Sequence, residues 1–296
     1  MPTPPATLRT VRTIAQLRRA VADWHDAGLK VALVPTMGAL HRGHLALVAR
    51  GRRAADRVVV SLFVNPAQFG PGEDFTRYPC DEAGDRTKLL EAGADLLYAP
   101  AVGEIYPAGF ATSVMVAGLS ERLEGAHRPG HFTGVATIVA KLLLQTGPDV
   151  ACFGEKDYQQ LQVIRRLALD LDLPVEIVGA PIMRDADGLA LSSRNAYLTP
   201  AERRIAPALR RALQDAADAL AGGADVAGAE ADAREAIATA GFAKVDYVEA
   251  RGPCDLERLG PGPLTGPARI LAAARIGRTR LIDNIAVTRP QARAGA

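Results

Sequence analysis

Apolar residues recur at helical spacing over residues 13–27 and then give way to an unbroken apolar run at 30–36, short enough for a strand buried on both faces. The alternation repeats. Residues 45–57 read as a helix, 58–64 as a strand, 82–93 as a helix and 94–100 as a strand. Further on, 134–147 is helical, 149–154 extended, 158–173 helical and 175–183 extended. Strands that alternate with helices predict a doubly wound parallel sheet with helices on both faces, because parallel neighbours require crossover connections. After about Met183 the texture changes. A helical stretch at 199–223, where Thr199 can cap and Pro200 suits the first helical position, precedes a second at 228–241. Strand patterns at 244–252 and 268–287 follow, so a smaller α+β domain with an antiparallel sheet is expected. The predicted domains are 1–183 and 184–296, and the tail "RPQARAGA" is expected to fray.

Composition narrows the function classes. With 35 Lys+Arg against 33 Asp+Glu, the net charge of +2 supplies no global field for nucleic acid or a membrane surface, so any anion must be held locally. Cys80, Cys152 and Cys254 are odd in number and form no C-x-x-C pair, which favours a reducing cytoplasm over a disulfide framework. The start of the chain carries no apolar signal core, and no run reaches membrane-spanning length.

Ligands of an open parallel sheet bind at the carboxyl ends of its strands. That rule selects four stretches: "PTMGALHRGH", "FVNPAQFG", "CFGEKDYQQ" and "LALSSRN". In the first, His41 and His44 flank Gly43 where a strand gives way to a helix. A bare glycine lets a flat ring approach the backbone, and the helix start suits phosphate. A metal pair or a helix-capping histidine are the alternatives, and no third ligand at zinc spacing lies nearby. Asn65 and Gln68 can orient a hydroxy acid without adding charge. Lys156 and Asp157 sit at a strand-to-helix junction, where a lysine opposes the helix dipole and an anionic ligand would repair the conflict. Ser192, Ser193 and Arg194 have the composition of a phosphate clamp. "LEGAHRPGHFTGV", with His127, Arg128 and His131, is a second-rank anion candidate.

In order and spacing the four motifs resemble those of the pantoate–β-alanine ligase family, within the nucleotidyltransferase superfamily marked by H-x-G-H, over about residues 11–287. The resemblance implies a Rossmann-like first domain that binds ATP and pantoate, and a smaller second domain acting as a lid. It implies an AMP-forming ligase. ATP and (R)-pantoate would give pantoyl adenylate, which β-alanine would convert to pantothenate, with Mg2+ accompanying ATP in a cytoplasmic homodimer. Carried over by position, His44, His41, Lys156 and Arg194 would be catalytic. Met37, Gly38, Gly43, His44, Gly154, Lys156, Asp157, Met183, Leu191, Ser192, Ser193 and Arg194 would bind ATP. Gln68, Gln160 and Asn65 would hold pantoate, with Gln68 also near β-alanine. Two departures stand out: Arg42 where an acidic residue is frequent, and Cys80 with Asp81 in place of an Arg-Thr pair. A relative that transfers AMP or CMP to a phosphorylated alcohol would need a cation where this chain has Gln68 and Gln160. A silent nucleotide-binding protein would bind ATP without pantoate-dependent release of pyrophosphate.

Overall fold

The computed structural model describes residues 7–71, 73 and 75–288. In chain order it forms β1 (Arg9–Val11), α1 (Ile14–Asp26), β2 (Val31–Thr36), α2 (Arg42–Ala54), β3 (Arg57–Leu62), α3 (Glu82–Glu91) and β4 (Leu96–Tyr98). Then come α4 (Val102–Ile105), α5 (Glu124–His127), α6 (His131–Thr146), β5 (Val150–Gly154), α7 (Tyr158–Asp170) and β6 (Glu176–Ala180). The six strands form one parallel sheet in the order β1-β4-β3-β2-β5-β6. Strands β2 and β3, with Val31–Val34 and Val58–Val60 sealed from solvent, make its centre, as a strand covered on both faces requires. From β2 the chain builds outward through β3 and β4 and later, on the other side, through β5 and β6. The carboxyl ends of β2 and β5 therefore border the switch point.

The chain divides into two compact units. One holds the residues up to Glu155 together with Gln159–Met183; the other holds Lys156–Tyr158 together with the residues from Arg184 onward. Lys156 and Asp157 thus group with the second unit. Within that unit the Lys156 carbonyl accepts a hydrogen bond from Asn284, the Tyr158 hydroxyl donates to the Pro253 carbonyl, and the Arg269 guanidinium lies 3.7 Å from the Tyr158 ring centre. The second unit contains α8 (Pro200–Ile205), α9 (Ala208–Ala221) and α10 (Val226–Thr239), and an antiparallel sheet of β7 (Lys244–Arg251), β8 (Ala268–Ile276) and β9 (Thr279–Val287). Its core joins Leu209, Leu213, Leu220 and Ile237 of the helices to Val248 and Ile270 of the sheet.

The second domain's first helix and strand β1 differ from the sequence reading, and the one-turn helices α4 and α5 were not expected either. The continuous helix expected at 199–223 breaks at Ala206 and Pro207, because an interior proline lacks the amide proton and its ring crowds the preceding turn. Strand β1 was not expected. Its three residues bury only Val11, and its pairing partner β4 lies 87 residues away, so no local pattern announces it. The tail 289–296 and residues 1–6 lie outside the described residues.

Candidate functional site

The loop that leaves β2 turns through two left-handed residues, Gly38 (φ +89°) and Ala39 (φ +52°), and delivers His41 as the cap of α2. His41 Nδ1 accepts from the Gly43 amide at 3.1 Å, and the His41 amide donates to His44 Nδ1 at 3.3 Å. The two imidazoles form a reciprocal capping box in positions usually taken by a hydroxyl and a carboxamide. Capping and ligand binding are not alternatives here. With both Nδ1 atoms used as acceptors, each neutral ring carries its proton on Nε2 and so presents an N–H donor at a helix start. The rings lie 4.1 Å apart between centres.

One strand along, the turn after β3 holds Asn65 and Gln68. Asn65 is 1% exposed, and backbone groups fix its amide: the Ala67 N–H donates to Oδ1, while Nδ2 donates to the Gly134 carbonyl. The Tyr106 hydroxyl also donates to Oδ1, at 2.7 Å; burial pushes that phenol up to about 12, so it stays protonated. Because Asn65 Nδ2 must then donate to Gln68 Oε1 (3.0 Å), Gln68 turns its N–H end the other way, 3.1 Å from the sulfur of Met37. Gln68 is therefore a donor beside the loop that carries the histidines, and all four hydrogen-bonding positions of Asn65 are used within the protein.

The Gln68 backbone is gripped as well. His131 Nδ1 lies 2.9 Å from the Gln68 carbonyl, and its Nε2 lies 3.1 Å from Arg128, which holds Glu73 through two bonds of 2.7 and 2.6 Å. Burial, and then the Arg128 charge, push His131 down to about 4. It is neutral at pH 7, donating through Nδ1 and accepting through Nε2. Burial raises the Glu73 carboxyl, but the Arg128 guanidinium outweighs this and holds it below its ordinary value.

Both shifts have the same sign for stability. Between its ordinary value near 6.5 and about 4, His131 binds a proton in the unfolded chain and not in the folded one. Glu73 adds a contribution that is present above its unfolded value and lost as the pH falls through its lowered folded value. The melting temperature is expected to fall as pH drops from 6.5 to 4, and His131→Gln to flatten that fall. A wild-type melting curve independent of pH over this window would contradict the network.

Of the other expected residues, Gly154 ends β5, Gln160 is half-buried in the first turn of α7, and Met183 follows β6 at 41% exposure. In the second unit, Lys156 and Asp157 occupy a single 3-10 turn. Ser192 caps another, Ser193–Tyr197, by accepting from the Arg194 amide at 3.3 Å, and Leu191 precedes it. The hairpin leading to this turn is braced by Arg184, which grips Asp283 at 2.6 and 2.8 Å, and by Arg203 on Asp185 and Asp187. Among the described residues no group of three His, Cys, Asp or Glu side chains could hold a metal ion, and no helix is long and apolar enough to cross a membrane.

Residues 9–286 match the family model for pantoate-beta-alanine ligase. The chain belongs to this family. Similar proteins include pantothenate synthetases of Paramagnetospirillum magneticum, 61% identical over 94% of this chain and 97% of that one, and of Caulobacter vibrioides, 58% identical over 94% and 98%. Among solved structures, the pantothenate synthetase of Thermus thermophilus superposes with a TM-score of 0.89 at 52% identity, covering 96% of this chain and all of that one. The pantoate-beta-alanine ligase of Francisella tularensis, solved as a complex with beta-gamma ATP and beta-alanine, gives 0.78 at 33% identity, covering 95% and 98%. Several residues that hold the candidate site's loops escaped the sequence reading. Tyr106, Glu73, Asp85 and Lys88 sit in ordinary-looking loop and helix stretches, and only long-range contacts reveal them.

Proposed function

We propose that this ligase activates (R)-pantoate with ATP and then joins it to β-alanine. The pantoate carboxylate attacks the α-phosphorus and pyrophosphate leaves; the β-alanine amine then attacks the acyl carbon of pantoyl adenylate and AMP leaves, giving pantothenate. Negative charge grows on the phosphoryl oxygens in the first step, and fixed donors stabilise it without a covalent enzyme intermediate. His41 and His44 donate hydrogen bonds through Nε2; for His44 to serve as the proton donor its Nδ1 must first take up a proton and release the His41 amide, because a neutral ring would leave an imidazolate. Lys156, Ser192, Ser193 and Arg194 bind phosphate, and Asp157 the ribose. The backbone at Met37, Gly38, Gly43, Gly154, Met183 and Leu191 completes the nucleotide site. Gln68 and Gln160 hold pantoate, Gln68 also meeting β-alanine; Asn65, expected to hold pantoate as well, has its side-chain amide fully engaged within the protein and acts instead by supporting Gln68.

The observation that carries this reading is the adjacency of Gln68 to Met37, because it brings a neutral donor suited to a hydroxy acid against the loop that ends in two Nε2–H donors. Mg2+ fits as a companion of ATP: with no cage of carboxylates among the described residues, phosphate oxygens and water would supply its ligands, and it would offset phosphate charge. The reading also carries a homodimer, a cytoplasmic location and a second domain acting as a lid. Exchange of labelled pyrophosphate into ATP, with magnesium present and β-alanine omitted, is expected only when (R)-pantoate is added. Exchange without pantoate, or none with it in a protein that binds ATP, would overturn the proposal.

A further inference from the structure

The first unit contains a buried acid and a lysine that the reaction does not call on. Asp85, on α3, is 0% exposed, and Lys88 stands one turn later on the same helix. Asp85 Oδ1 accepts from the Leu40 amide at 2.8 Å, and Lys88 Nζ donates to the Leu40 carbonyl at 2.9 Å while pairing with Asp85 at 3.4 Å. Between them they hold both backbone polar groups of one residue. That residue follows the left-handed pair Gly38 and Ala39 and immediately precedes His41. The other Asp85 oxygen, Oδ2, is buried with no hydrogen-bond partner and lies against Gly38, where a Cβ would come within 3.2 Å of it.

The peptide joining Leu40 to His41 is the point of interest. Its oxygen accepts from the Lys88 ammonium, and its N–H, which belongs to His41, donates to His44 Nδ1 at 3.3 Å. One amide thus links a cation to the imidazole. A cation on the carbonyl polarises the peptide, strengthens the N–H as a donor and draws density from Nδ1, which makes the opposite Nε2–H a better donor to an anion.

We propose that Lys88, with Asp85, is a positioning residue that orients and polarises His44 through the Leu40–His41 peptide. The inference rests on the reading that His44 serves the ATP phosphates. Lys88→Met keeps the length of the side chain but takes the cation from the buried Asp85, so a lowered melting temperature is expected, and Lys88→Arg, which keeps the charge, should restore most of it. Misplacing a reacting group by about 1 Å costs roughly a hundredfold. The kcat of pantoate-dependent pyrophosphate exchange should therefore fall by about ten- to a hundredfold, with the KM for pantoate unchanged. The His44 ring 15N resonances should shift in the Met variant, and in Lys88→Arg, which keeps a cation on the Leu40 carbonyl, both the resonances and kcat should return toward wild type. Unshifted resonances overturn the relay. Shifted resonances with unchanged kcat overturn its catalytic role. If His44→Ala also keeps full exchange, the failure belongs instead to the placement of His44 on phosphate.

Discussion

His44→Ala is expected to reduce pantoate-dependent pyrophosphate exchange by a hundred- to a thousandfold or more. Loss of one preorganised donor to a developing oxyanion costs about 2.7–4 kcal/mol in the transition state. Part of the damage is structural, because the His41 amide loses its acceptor at His44 Nδ1 and the start of α2 loses half of its capping box. A lost cap costs typically about 1 kcal/mol. His44→Gln separates the two contributions: a carboxamide at this position can accept from the His41 amide, as in the ordinary capping box, but it cannot act as an imidazole in proton transfer. The Gln variant should recover the melting temperature lost in the Ala variant while exchange stays at least tenfold below wild type. Near-normal exchange in His44→Ala would remove His44 from the chemistry.

Gly134→Ala is expected to destabilise the protein and to raise the KM for pantoate. Helix propensity predicts the opposite, since alanine is better than glycine inside a helix by about 1 kcal/mol. At this position the clash decides the sign. A Cβ on Gly134 would lie 2.1 Å from the Ala67 carbonyl oxygen and 2.7 Å from Gln68 Cα, and both are backbone atoms that cannot swing aside. Either α6 or the Asn65–Gln68 turn must move, and overpacking of this kind costs about 1–3 kcal/mol. The shift would carry Gln68 and break the bond from Asn65 to the Gly134 carbonyl. Gly228→Ala in α10, where nothing lies within 4 Å, serves as the control and should stabilise by about 0.5–1 kcal/mol. Thermal melts of the two variants, with the pantoate KM of the first, check the argument; equal gains in stability would refute it.

Much of the architecture was legible because it rests on periodicity. The buried strands β2, β3 and β5 are continuous apolar runs, and the helices between them carry a periodic apolar face, so parallel winding follows from the alternation. The site motifs were legible for a related reason: the strand-end rule says where polar side chains escape the core, and the histidines, amides, lysine and serines stood there in recognisable order. Pro207 carried its own signal, and the break in the helix is what that residue enforces. Strand β1 carried none, since an edge strand with one buried residue exists only by virtue of its partner.

What the sequence determined by itself is the class of fold and the family, together with which residues are candidates for the site, because spacing and residue type survive without coordinates. Tertiary structure alone decided which end of each side chain does the work. The Gly134 carbonyl and the Ala67 amide fix the direction of Asn65 and through it turn Gln68 into a donor; two backbone amides place the histidine protons on Nε2. Asp85 looked like any helix acid until its burial against Leu40 gave it a task. Hydrogen-bond direction and burial depend on groups brought together from distant parts of the chain, and no local pattern encodes them.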